Sequence, residues 1–484
     1  MDLDALAANS PLADGRDGPD VRVFDSVVDR ADARAVEVLR AGVADADLAA
    51  PAVVLPDFHH KADKEMPSSI TVATRETVRP IFTAPSVNCG MTLVALDADR
   101  PDPAAITDFY TRVRERYPYP PTYRRDLTPQ EVIRAATEGS HFAVDRFGVD
   151  PAELDRVEEG GRLDVERFGG VARVRWELPW SVLQLSRIRF GTIGPSNHFI
   201  ELQEVEDVFD AHAAELLGVR VGQVKMQYHG GGGSLPGEVG LLFGRRKRYP
   251  RPVRAQMAIQ KPLYHLGRAR SLDQLRARLR LYFAQAYPPV EWHSDAGERL
   301  MLMNTIAMNY GFAFRLAAYS NLSHLLAKSL GVSEMRLVVD SPHNSIYEEE
   351  VNGSPALVHR HNTARAYPAD RMADHPIFSK IGQPILLPGT NRTSSYLCVA
   401  GEDANRSLYS ACHGAGSTIK RFASDGRSRA DSRGRVTLRY DYRGAGPLEV
   451  PHLDDAGIDA TLAVLVENGI VTPVARLRPF AVLN

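Results

Sequence analysis

The chain has 484 residues, of which 44% are hydrophobic and 24% charged, an ordinary globular balance with ample length for a buried core. With 58 Lys and Arg against 60 Asp and Glu the formal charge is −2, which excludes a histone-like polycation but leaves room for a local basic groove. Three cysteines, Cys89, Cys398 and Cys412, are too few for a disulfide scaffold and fit a reducing compartment. Residues 1–20, rich in Asp, Gly, Pro and Ala, read as a loose lead-in before one unit over 21–484. They lack the basic-then-apolar pattern of a secretory signal, and no apolar run reaches the roughly 18 residues of a membrane span, so a soluble, cytoplasmic protein is expected.

In chain order the pattern predicts a helix over 33–49 and a strand at Val53-Val54-Leu55 ending in a turn at Pro56-Asp57. Strands are expected over 69–74 and 91–96, then helices over 104–117 and 129–138, the second with Thr128 as N-cap before Pro129. Strands follow over 199–205 and 221–228. Residues 293–330 hold no proline and are rich in Leu, Met and Ala, so they read as long helical structure with Gly311 a candidate interruption. The run 335–340 reads as a buried strand. No repeat, heptad or regular βαβ spacing is present, and no linker divides the chain. The expected class is α+β with one large catalytic unit.

Four histidines lie beside strand-like runs and small residues: His198 after Asn197, His229 before Gly230, His343 after Pro342, and His413 in Cys412-His413-Gly414-Ala415-Gly416. Cys89, between Asn88 and Gly90, sits in a similar setting. Loops at strand ends are where scaffolds display catalytic groups, and imidazole with thiolate suits a transition metal. Taken singly, each histidine is more often a hydrogen-bonded structural residue and Cys89 a small buried hydrophobe. No pair has the i, i+3 or i+4 spacing of a helical metal site. Two glycine-rich stretches, after His229 and after His413, offer backbone N–H groups to an anion, although neither is a Walker loop. The run from Gly244 to Arg254 interleaves Tyr249 among six cations, which suits either a phosphodiester backbone or a solvated loop.

Read together, these segments resemble the RtcB family of RNA ligases, from about Val53 to Asn484. The resemblance is carried by Leu55-Pro56-Asp57-Phe58-His59, Val87-Asn88-Cys89-Gly90-Met91, the stretch from Gly191 to Glu201, His229-Gly230 and Asp340-Ser341-Pro342-His343-Asn344. It continues through His359-Arg360, Arg365-Ala366-Tyr367-Pro368, Gly382 to Gly389, Thr393 to Tyr396, Cys412 to Gly416, and Ala475 to Pro479. Each piece is short, but their order and spacing together are specific. The resemblance implies an α+β fold with a deep cleft for two Mn²⁺ ions. Cys89 would bridge them, His229 and His343 would complete one site, and His198 would belong to the other. It implies that His413 takes GMP from GTP and passes it to an RNA 3′-phosphate, itself derived from a 2′,3′-cyclic phosphate, before a 5′-hydroxyl displaces GMP. Asn197 would bond a phosphate oxygen, Phe199 pack on the base, and Glu201 and Ser395 contact guanine. Gly414, Ala415 and Gly416 would let the backbone approach the nucleotide.

Departures from the family pattern fall on the same sites. The aspartate expected three residues before the cysteine is Ser86, so a metal ligand and its charge are lost. Asp57 and Asp63 are candidate replacements. The family's His-Gly-Ser-Arg-Gly is His229-Gly230-Gly231-Gly232-Gly233 here, the lysine of His-Arg-Lys-Gly is His361 and its glycine Asn362, and the arginine after the His413 loop is Ser417. A guanine-reading lysine is replaced by Asn484, and an Ala-Tyr-Lys segment is missing around His452. Two readings follow: a divergent RNA ligase, or a paralogue that has lost ligation and binds RNA ends or a metal-nucleotide as a sensor or regulator.

Overall fold

The computed structural model describes residues 20–61, 64–84, 86–195, 198–243, 250–283, 289–444 and 446–484. The lead-in over 1–19, Asp63, Asn197 and residues 244–249 of the basic run lie outside these. The described strands are β1 (Val21–Val23), β2 (Ala52–His59), β3 (Ser68–Thr74), β4 (Thr77–Val78), β5 (Gly90–Leu96), β6 (Phe199–Val208), β7 (Val224–Gly230), β8 (Val290–Glu291) and β9 (Met335–Pro342). They continue with β10 (Asn344–Val351), β11 (Ser354–His361), β12 (Thr363–Arg365), β13 (Pro384–Leu387), β14 (Ser395–Ala400), β15 (Ser410–Cys412), β16 (Val436–Tyr440), β17 (Leu448–Pro451) and β18 (Val471–Leu483). Nine form the main sheet, running β13-β14-β18-β6-β7-β5-β9 with β16 also on β18 and β17 on β16; five form a second sheet, β1-β2-β3-β11-β10. Pairing is antiparallel except at β1–β2 and β16–β18. Helices mixed with largely antiparallel sheet are the expected α+β class, with β1 and β2, joined through the helix Ala33–Val43, a parallel exception.

The predicted elements mostly stand, and the exceptions have local causes. The helix from Pro129 to Glu138 is closed by Thr128 and Glu131 in a reciprocal capping box. The helix expected over 33–49 ends at Val43. Beyond it Asp47 accepts from the Thr77 N–H at 3.0 Å, and Asp45 pairs with Arg79 at 2.8 Å, so these side chains tie down another segment instead of continuing the turn. The turn expected at Pro56-Asp57 is a bulge inside β2: the register with β3 shifts between Val54 and His59, and Asp57 has φ 60°.

Residues Asp295–Leu330 form one unbroken helix of 36 residues. Arg299 to Tyr319 are all buried, so the helix is a spine enclosed on every side. Gly311 does not interrupt it. A Cβ there would stand 2.7 Å from Cβ of Asn88, so glycine makes the notch that lets the 86–89 loop reach the helix. No helix among the described residues is long and apolar enough to cross a membrane.

Candidate active site

Because β6, β7, β5 and β9 are antiparallel neighbours, the starts of β5 and β6 share one sheet edge with the ends of β7 and β9. That edge gathers residues far apart in sequence. Cys89 precedes β5, His198 precedes β6, His229 lies in the last turn of β7, and His343 follows β9. Cys89 Sγ is 3.0 Å from His229 Nε2 and 3.9 Å from His198 Nε2. The three donor atoms lie within 4.8 Å of one another, as ligands of a single ion would. The His343 ring stands 5.1 Å from that of His229 and 4.5 Å from that of His413, so the histidines form a row from the cluster to the glycine loop.

His413 reaches this place through a two-stranded ribbon. β12 pairs with β15, Thr363 opposite Cys412, and the Thr363 N–H donates to the carbonyl of His343 at 3.0 Å. Among the described residues Nδ1 of His343, His361 and His413 is buried without a hydrogen-bond partner. Burial, with neighbouring His59 acting in the same direction, holds the His413 pKa at about 4, so its ring is neutral at pH 7 and keeps a nucleophilic lone pair. Burial also lowers His198 and lowers His343 strongly, which favours the neutral form that binds metal. The Cys89 thiol is pushed up to about 12 by burial, with Arg315 acting against it; a bound cation would favour its thiolate. Buried neutral imidazoles with unused nitrogens beside a thiol are a donor set that fits a transition metal.

Glu201 lies two residues beyond Phe199 on β6, and the half-buried Phe199 ring is 5.9 Å from the His229 ring. Gln203 Nε2 donates to Glu201 at 2.6 Å and to Ser395 Oγ at 3.1 Å, and the Gly389 N–H donates to the same hydroxyl at 3.1 Å. Burial raises the Glu201 carboxyl to about 8. The Ala415 N–H donates to Pro388 O at 3.1 Å, so the His413 loop and the Glu201–Gln203–Ser395 network share the Pro388-Gly389 corner.

A family model described as tRNA-splicing ligase RtcB matches residues 41–484. The chain belongs to the RtcB family. The tRNA-splicing ligase RtcB of Pyrococcus abyssi is 28% identical over 369 residues, covering 71% of this chain and 36% of that protein. Its namesake from Thermococcus kodakarensis is 25% identical over 451 residues, 89% of this chain and 86% of the relative. The RNA-splicing ligase RtcB of Mycobacterium tuberculosis is 27% identical over 366 residues, 73% and 75% respectively. The chain spans about a third of the length of the Pyrococcus relatives it matches.

Within this RtcB chain the departures also have places. Ser86 is exposed, its carbonyl takes the Cys89 N–H at 3.1 Å, and its hydroxyl lies 3.4 Å from Asn344 Nδ2. Asp57 is committed elsewhere: its Oδ1 accepts from the N–H groups of Ser417 and Thr418 at 2.7 and 2.8 Å, closing the start of the helix Gly416–Ser424. Burial lifts this carboxyl to about 7 against those bonds. The Gly231 N–H lies 3.1 Å from His198 Nε2, so this glycine loop meets the cluster through its backbone.

One further residue shapes the site and carries no signal in sequence spacing. Arg315, mid-way along the buried spine, makes a two-pronged pair with Asp340 at 2.8 and 2.7 Å. It also donates to the carbonyl and side-chain oxygens of Asn88 at 2.5 and 2.8 Å. Asn88 has φ 55°, and its side-chain amide donates to Met308 O. Arg315 thus fixes the residue before Cys89 and the strand that leads into His343.

Proposed function

We propose that this protein is an RNA ligase that joins an RNA 3′-phosphate or 2′,3′-cyclic phosphate end to a 5′-hydroxyl end, using GTP and Mn²⁺. RNA repair, splicing and tRNA processing are the settings that such chemistry serves. The observation that carries the reading is the row of rings from the Cys89–His198–His229 cluster through His343 to His413, 4.5 Å apart at its last step. Cys89 with His229 and His343 would hold one metal ion and Cys89 with His198 a second, and a bound ion supplies positive charge to phosphate oxygens. His413, neutral and buried, offers its lone pair to the α-phosphorus of GTP: a nitrogen–phosphorus bond forms and pyrophosphate leaves. A terminal oxygen of the RNA 3′-phosphate then takes the guanylate and frees the histidine. The 5′-hydroxyl oxygen attacks the activated 3′-phosphorus, loses its proton, and GMP departs. Glu201, largely protonated at neutral pH, and Ser395 face the base, Phe199 packs on it, and Asn197 with Gly414, Ala415 and Gly416 takes the phosphates.

The exposed, neutral Ser86 favours one alternative, a paralogue that binds RNA ends or a metal-nucleotide without joining them. Incubation with GTP labelled at the α-phosphate and Mn²⁺ separates the two. The ligase reading expects a covalent, acid-labile adduct that His413→Ala abolishes while the fold is retained. No adduct with any divalent metal, or one that persists in His413→Ala, refutes it.

A further inference from the structure

The charge of this chain is nearly balanced overall, yet residues 245–283 contain twelve Lys and Arg and one acid, Asp273. The described part of this stretch is a helical pair, Arg251–His265 and Leu272–Phe283. Arg251, Arg254, Arg270, Arg276 and Arg280 are exposed. Asp273 is taken by Arg276 at 3.5 Å. Of the bordering acids, Glu177 is buried against Arg299 at 2.7 Å, Glu238 accepts from Gln256 of the first helix at 3.1 Å, and Asp295 lies 3.8 Å from both Arg278 and Arg173, so each is partnered. The face therefore presents positive charge to solvent.

Exposed aromatic and aliphatic surface lies on and beside the same helical pair. Trp180 is 74% exposed and Trp176 49%, with Leu263 at 69% and Ile259 at 65% on the first helix of the pair. The parts touch one another. Gln260 donates to Ser181 at 3.3 Å, Arg268 donates to the carbonyl of Trp176, and the guanidinium of Arg270 lies 5.3 Å from the Trp176 ring centroid. An indole beside guanidinium groups, as at Trp176, with a second exposed indole at Trp180, is what single-stranded nucleic acid uses: bases stack on the rings and phosphates follow the cations. The surface is also tied to the reaction centre. The helix Ser234–Phe243, about 15 Å long, starts beside Gly231 at the cluster and leads to this pair.

We propose that the helical pair 251–283, with Trp176 and Trp180, is a docking surface for single-stranded RNA that holds the strand outside the cleft. This rests on the reading of the substrate as RNA, and it adds where the strand beyond the reacting end is gripped. Phosphate contacts on this face dominate affinity and make it salt-dependent; the two tryptophans favour unpaired over duplex RNA.

The test is fluorescence anisotropy of the full chain with a labelled single-stranded RNA of about ten to sixteen nucleotides, from about 50 to 200 mM salt. Trp176→Ala with Trp180→Ala is expected to weaken binding roughly tenfold or more. Arg251→Gln, Arg254→Gln and Arg270→Gln together are expected to reduce the slope of log affinity on log salt by about 2. All five residues are at the surface, so melting temperature and the guanylate adduct on His413 should match those of the unmodified protein. Unchanged affinity and unchanged salt slope in both variants overturn the docking surface, even where the adduct forms. An unmodified protein that forms no adduct but loses RNA binding on these substitutions overturns the ligase reading and leaves the surface standing.

Discussion

Replacing Arg315 with Met should cost the protein much of its stability and loosen its metal site together. The side chain is fully buried and serves Asp340 and Asn88 at once. Removing it leaves the Asp340 carboxylate in the interior with only the Thr92 hydroxyl at 2.5 Å as a side-chain partner. Breaking a buried pair in this way costs about 3–5 kcal/mol. The lost bonds to Asn88 add about 1 kcal/mol each. Against a typical total of about 5–15 kcal/mol the variant keeps a small margin. Urea denaturation measures the stability, and titration calorimetry with Mn²⁺ measures the site. Adding Asp340→Leu should recover about 2 kcal/mol or more, since the stranded charge is gone, but not the metal affinity, since Asn88 still lacks both bonds from the guanidinium. A loss below about 1 kcal/mol with unchanged Mn²⁺ binding would refute the reasoning.

Ser86→Asp places a carboxylate next to the cluster, and the metal occupied through Cys89 and His198 should bind more tightly, by about tenfold or more, without nucleotide present. Two equally tight sites in the unmodified protein, unaltered by the substitution, would count against that. Lys225 is buried, with its ammonium donating to Gln223 Oε1 at 2.7 Å and to Gly218 O at 3.2 Å, and burial lowers its pKa to about 7. Its charged form is disfavoured in the fold, so the cost is complete below about 7 and fades as pH rises toward the ordinary 10.5. Unfolding measured from pH 7 to 10 should show the unmodified protein gaining on Lys225→Met as pH rises; parallel curves would be the contrary result.

The sequence reads well where a local rule decides. Thr128 and Glu131 bracket a helix start, and residues 335–340 are a buried apolar run; both elements appear where the pattern puts them. Cys89, His198, His229, His343 and His413 could be singled out because each sits beside a strand-like run and small residues. What brings them together is strand order, and β5 lies between β7 and β9, elements separated from it by more than a hundred residues. Arg315 left no trace for the same reason. In its own segment it is a lone charge in an apolar helix, and its partner Asn88 is 227 residues away. Gly311 shows the limit of a local rule: a helical glycine usually signals an interruption, whereas here it makes room for a loop from elsewhere. At Asp57 a Pro-Asp pair imitated a turn, and only the cross-strand register exposes the bulge.

β18 lies between β14 and β6 in the main sheet, and its last residues also pair with β16. On a ribosome, β5, β6, β7 and β9 can all pair once Pro342 has emerged, but residues 471–483 are made much later. At bacterial or eukaryotic elongation rates that interval is on the order of ten seconds. Throughout it the flank of β6 that awaits β18 is an open template for any passing strand. β6 carries Glu201, Glu204, Glu206 and Asp207, and such charge on a waiting edge discourages self-association of nascent chains. When β18 arrives, Arg478 meets Glu206 at 2.9 Å and Arg476 meets Asp207, so the acids that protect the unfinished sheet become the clasp of the finished one.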